Sequence, residues 1–112
     1  MSNIQNVDLK VVGVTFANED GSSRKDQILT LAERFEGRES EITIDLVREP
    51  TNQYDMNAIK VIAEQKQIGY LGKEYASILA PLMDEGEEFT ATVKGIGEFK
   101  NRPYCEITVN QL

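Results

Sequence analysis

The chain has 112 residues, enough for one domain with a modest core that needs neither a disulfide nor a metal. Its hydrophobic share of 40% and charged share of 28% suit a globular protein, and no apolar run reaches membrane-spanning length. A net charge of −7 argues against a broad nucleic-acid-binding face, and one cysteine with no histidine leaves no zinc site.

The opening stretch MSNIQNVDLK lacks the basic and apolar regions of a signal peptide, so a cytoplasmic location is expected. Leu9 to Phe16, rich in valine, predicts the first strand. A loop follows over residues 17 to 21. Ser23 and Asp26 have capping-box spacing, and Ile28, Leu31, Ala32 and Phe35 share one face of a helix that Gly37 ends.

Glu41 to Val47 alternates as a strand, with Ile42, Ile44 and Leu46 inward. In the turn after Arg48, Pro50 fixes φ and Asn52 offers side-chain hydrogen bonds to the backbone. Asn57 to Ala63 and Ile68 to Leu71 read as two strands around a polar hairpin turn, residues 64 to 67. Gly72 and Lys73 then lead into a helix with Tyr75, Ile78, Leu79, Leu82 and Met83 as its apolar face. Pro81 lies within that pattern and predicts a kink, or a second short helix. Gly86 ends the element. Glu88 to Ile96 and Tyr104 to Val109 read as the last strands, joined by a loop over residues 97 to 103.

Six strands with two helices predict a mainly β, α+β fold, a small barrel with a helix over each opening. Its expected core includes Ile42, Ile44, Leu46, Ile59, Val61, Leu71 and Val93, with Ile28, Phe35, Leu79 and Leu82 facing inward. Barrels of this kind bind ligands at one end or face through aromatic and loop residues.

The candidate site residues carry two readings each. Tyr54 suits stacking on a base, or else closes a barrel corner half-buried. Asp55 can accept a hydrogen bond from a hydroxyl, or bond the Asn57 backbone in an Asx turn. Arg48 can clamp a phosphate, or pair with Glu49 or another carboxylate at the sheet edge. Lys73 near a helix start gains nothing from the helix dipole, which favours a phosphate contact. Phe16 and Tyr70 are strand aromatics whose ordinary place is the core, and Cys105 reads as a small buried hydrophobe. Residues 48 to 73 carry four cations against three carboxylates, while Asp84 to Glu88 alone carries four negative charges. That distribution permits a small local site.

From Arg48 the chain reads R-E-P-x-N-x-Y-D-x-N-A-I-x-V, followed by Q-I-G-Y-L and K-E-x-A-x-x-L-A-P-L. With Val11 to Phe16 these motifs resemble the HIRAN domain family, over about residues 9 to 110 of a single-domain chain, residues 1 to 112. The resemblance implies a six-stranded barrel related to OB and SH3-like folds, free-standing here as in bacterial members. It implies a non-enzymatic module without cofactor that binds the 3′ end of single-stranded DNA in repair or replication-fork processing, beside a helicase or nuclease. Tyr54 and Asp55 then face the terminal nucleotide, the carboxylate near the 3′-hydroxyl. Phe16 stacks on a base, Lys73 contacts phosphate and Tyr70 lines the site. The chain departs from helicase members at Thr15, where they carry a cation, and at Ala17, where they carry an aromatic. The other expectation is a protein–protein adaptor on the same barrel without DNA binding. A positive cleft around Tyr54 and Lys73 favours DNA, and a continuous acidic face favours the adaptor.

Overall fold

A computed structural model describes residues 4 to 112. Its six strands are β1 (Val7–Val12), β2 (Ile44–Arg48), β3 (Ile59–Ala63), β4 (Lys66–Leu71), β5 (Phe89–Phe99) and β6 (Arg102–Gln111). They form one antiparallel sheet in the order β2-β3-β4-β1-β6-β5. The sheet curls so that its edge strands β2 and β5 approach each other without hydrogen-bonding. The result is a half-barrel, the α+β architecture expected from the pattern.

Helix α1 (Arg24–Arg34) packs against β4, β5 and β6 inside the curl. The Ser23 side chain caps it by accepting from the Asp26 N–H at 3.1 Å, as its spacing predicts. Ile28 and Leu31 are wholly buried beneath it, and Phe35 packs at the margin. Helix α2 (Lys73–Asp84) contributes Ala76, Leu79 and Ala80 to the same core, with Met83 and the half-buried Leu82 beside them. Tyr75 and Ile78, expected on the inner face, point to solvent instead. Two apolar stripes overlap on this helix, and the one that carries Ala76, Leu79 and Ala80 is the one buried. Pro81 sits exposed in the last turns of one unbroken helix, where its missing N–H leaves only the Ser77 carbonyl without its helical donor.

The strand starts shift by two residues at β1, β3 and β4, and three larger departures from the sequence pattern each have a backbone cause. β1 stops at Val12 because Gly13 takes φ +70° and a turn follows, which puts Phe16 outside the strand. β2 begins at Ile44 because residues 39 to 41 wind into one short turn of 3-10 helix that tucks Ile42 into the core. The expected loop over residues 97 to 103 is mostly strand: Lys100 and Asn101, at φ +53° and +64°, form a two-residue hairpin turn. Glu64 and Gln65 turn the β3–β4 hairpin in the same way, at φ +48° and +73°. Ile59, Val61, Leu71 and Val93 are buried as expected, while Ile44 and Leu46 are half-buried at the edge strand. Cys105 is buried and free, and desolvation pushes its thiol up to about 12.

Candidate nucleic-acid interface

The loop between β2 and β3 is tied by its own polar side chains. Its neck continues the strand pairing, with Glu49 N–H donating to the Ala58 carbonyl at 2.9 Å. Within it the Asn52 side-chain oxygen accepts from the backbone N–H groups of both Tyr54 (2.8 Å) and Asp55 (3.0 Å). One asparagine thus fixes the backbone of the Tyr-Asp pair. Its amide nitrogen donates to Glu49 Oε1 at 2.6 Å, and that oxygen also accepts from the Tyr70 hydroxyl at 2.7 Å. Lys60 closes the group on Glu49 Oε2 at 3.0 Å. Burial pushes the Glu49 carboxyl up; the hydrogen bonds from Asn52, Tyr70 and Lys60 outweigh it and hold the group below the usual carboxylate range.

This wall faces the turn after β1 across an open cleft of about 980 Å³. Phe16, Tyr54, Asp55, Tyr70 and Lys73, up to 57 positions apart, all line it. Phe16 is 68% exposed and Tyr54 93%, so neither ring serves the core and the half-buried barrel corner does not describe Tyr54. Asp55 does make the Asx turn, accepting from the Asn57 N–H at 2.9 Å through Oδ1. Its Oδ2 has no protein partner among the described residues. Lys73 is exposed at the first residue of α2 and pairs with no carboxylate among the described residues. Tyr70 is half-buried, its hydroxyl committed to Glu49.

Arg48 does not line the cleft. Its guanidinium takes both oxygens of Asp84 at the end of α2, at 2.9 and 3.1 Å, and donates to the Ala58 carbonyl at 2.9 Å. It fastens α2 to the sheet, and its pairing with a carboxylate is the structural reading rather than the phosphate clamp. The sequence pattern also passed over Arg24, which lies in the cleft wall almost wholly buried. A signal was present: a cation in the first turn of a helix opposes the macrodipole, as for Lys73.

Three carboxylates (Glu19, Glu49, Asp55) and two cations (Arg24, Lys73) line the cleft. Lys60 neutralises one of the carboxylates from behind. The cleft is therefore close to charge balance, neither a positive groove nor an acidic face.

The family model described as the HIRAN domain matches residues 4–110. The chain belongs to the HIRAN domain family. Among curated proteins it is 42% identical, over 64 residues, to a putative SWI/SNF-related matrix-associated actin-dependent regulator of chromatin subfamily A member 3-like 1 from Arabidopsis thaliana, covering 56% of this chain and 7% of that protein. It is 55% identical over 42 residues to the helicase-like transcription factor of Oryctolagus cuniculus, covering 37% of this chain and 4% of that one. The chain thus corresponds to a small part of either relative. The HIRAN domain of human HLTF superposes with a TM-score of 0.60 at 24% identity, over 96% of this chain and 78% of that one. A Lactobacillus plantarum protein superposes at 0.72 with 23% identity, over 98% and 95% of the two chains. These likenesses establish the HIRAN fold. No helix of the described residues is long and apolar enough to cross a membrane.

Proposed function

We propose that this HIRAN domain is a non-enzymatic module that binds the 3′ end of single-stranded DNA. The terminal nucleotide stacks on the exposed rings of Phe16 and Tyr54, and the free oxygen of Asp55 accepts a hydrogen bond from the 3′-hydroxyl. Lys73 meets a phosphate from the start of α2, where unpaired backbone N–H groups also favour an anion. The observation that carries this reading is a pair of aromatic rings, 68% and 93% exposed, on one cleft with a half-free carboxylate. Exposed apolar groups gathered on one cleft rather than scattered singly mark an interaction site. Relatives named as a chromatin regulator and a helicase-like transcription factor support a role in DNA transactions such as repair or fork processing, beside a helicase or nuclease. The competing reading, an adaptor that binds protein through the same cleft, draws on the near-balanced charge of the cleft and the net charge of −7.

Fluorescence anisotropy with two short oligonucleotides, identical but for a 3′-hydroxyl or a 3′-phosphate, separates them. A terminal phosphate sets up to two negative charges against Asp55, and a lost charge-assisted hydrogen bond alone is worth about 1.5–3 kcal/mol. The phosphorylated strand should therefore bind roughly ten- to a hundredfold more weakly. Equal affinity for both strands, or none for either at low salt, leaves the adaptor.

A further inference from the structure

Arg24 is the one charged side chain among the described residues that is buried, at 7% exposure. Burying a guanidinium is costly unless a counter-charge or a full set of hydrogen bonds compensates. Yet Arg24 has no carboxylate within ion-pair distance among the described residues. Its partners are neutral: Nε donates to Asn18 Oδ1 at 2.7 Å and Nη1 to the Gly13 carbonyl at 2.9 Å. The guanidinium carbon lies 5.3 Å from the centre of the Tyr70 ring. These contacts hold the plane in one orientation and leave its positive charge unneutralised.

The third nitrogen, Nη2, makes no hydrogen bond to the described protein, and no enclosed side-chain nitrogen or oxygen lacks a partner. Nη2 therefore reaches solvent, and the solvent it meets is that of the binding surface. Arg24 lines both the main cleft and a smaller polar depression of about 290 Å³ beside it, which also takes in Lys60 and Lys66. Tyr70 separates the guanidinium from the Glu49 and Asn52 group that carries the Tyr54-Asp55 loop. Of the other carboxylates in these two depressions, Asp20 is turned to Ser22, Asp55 accepts from the Asn57 N–H, and neither Asp55 nor Glu19 makes an ion pair with Arg24. A preset, desolvated cation with an open edge and no protein counter-ion is built to receive an anion.

We infer that Arg24 holds an internucleotide phosphate of the strand whose 3′ end lies in the cleft. This rests on the DNA-end reading above and adds a second phosphate contact to that of Lys73. One residue then does two things, since its bonds to Gly13 and Asn18 also set the turn that presents Phe16.

The test is a set of single-stranded oligonucleotides with a free 3′-hydroxyl in which one phosphate at a time is replaced by a neutral methylphosphonate. Against the unmodified protein, two linkages should be sensitive, each losing roughly tenfold or more in affinity. Arg24→Gln should abolish the sensitivity at one linkage and Lys73→Ala at the other. The log–log salt slope should fall by about 0.7 in each variant, the share of one phosphate on a single strand. Arg24→Lys keeps a charge without the fixed fork and should retain part of the sensitivity. A role confined to shaping the Phe16 turn predicts something else: Arg24→Gln weakens all strands alike and leaves the linkage pattern and salt slope untouched. That result, or an unmodified protein indifferent to every single neutral linkage, overturns the inference. An unmodified strand ending in a 3′-phosphate, titrated alongside, keeps the two readings apart: retained preference for the 3′-hydroxyl would show that the end-binding reading survives the failure of this one. Absence of any binding removes both.

Discussion

Asn52 shows how much one side chain decides here. By accepting from two successive N–H groups it fixes the loop in a form that expels the Tyr54 ring from the core. Because that ring packs against so little, Tyr54→Ala should leave the unfolding midpoint nearly unchanged while removing a stacking contribution of about 1–3 kcal/mol to single-strand binding. Urea melts and anisotropy titrations of the same preparation check both halves. Glu49 behaves in the opposite way, since its hydrogen bonds serve the fold. Its carboxyl is held below the usual range, so the stability it contributes is present above the unfolded-state pKa of about 4.3 and is lost as pH falls through the folded value. Glu49→Gln should therefore flatten the acid-side fall in stability between about pH 5 and pH 2, measured by urea unfolding at a series of pH values. Other carboxyls held low, among them Asp8 by Lys94 and Asp84 by Arg48, keep part of that fall in place.

The β3–β4 hairpin positions the site through a single glycine. Gly69 pairs with Val61 and Gln67 with Ile62, so β4 bulges at Ile68, next to its pairing with β1 at Tyr70 and Leu71. A methyl group on Gly69 would run into the Val12 carbonyl oxygen and meet Val11 Cγ1 at 2.7 Å. Backbone cannot yield as a flexible side chain can. Gly69→Ala should therefore cost about 1–3 kcal/mol, seen as a lower urea midpoint, and should weaken DNA binding by displacing Tyr70 and Lys73 together. Unchanged stability would mean that β1 and β4 separate readily. At this scale the glycine in the Q-I-G-Y-L motif reads as a requirement of close strand approach, separate from any contact with a ligand.

Across the molecule, one continuous core joins α1, α2 and the inner face of the sheet. Ile59, fully buried on β3 directly after the Tyr54-Asp55 loop, stands at its middle. Ile59→Ala should destabilise the protein by about 2–5 kcal/mol, measured by chemical unfolding. The surface works against DNA: the net charge is −7, and the cations available in the cleft are Arg24 and Lys73. Binding should thus depend only mildly on salt, with a log–log slope near about −1.4 for two phosphates on a single strand. A much steeper slope would point to a larger cationic surface than this cleft offers.

Local patterning by itself determined the elements. Alternation marked the strands, the 28-31-32-35 spacing marked α1, and Ser23 marked its start, because periodicity and capping depend on neighbours in the chain. The motif residues Tyr54, Asp55, Tyr70 and Lys73 were legible as site candidates because their types and order form a recognisable pattern. Tertiary structure decided which charges are spent and which are free. Arg48 and Arg24 are both arginines at element boundaries, and nothing local says that the first closes on Asp84, 36 positions away, while the second is buried without a carboxylate. It also decided which stripe of α2 faces inward: Ala76, Leu79 and Ala80 are buried while Tyr75 and Ile78 are exposed, and helical spacing alone fits either stripe. Such choices are settled by the distance between elements and by the counter-charges each side chain meets there, and those exist only once the chain has folded.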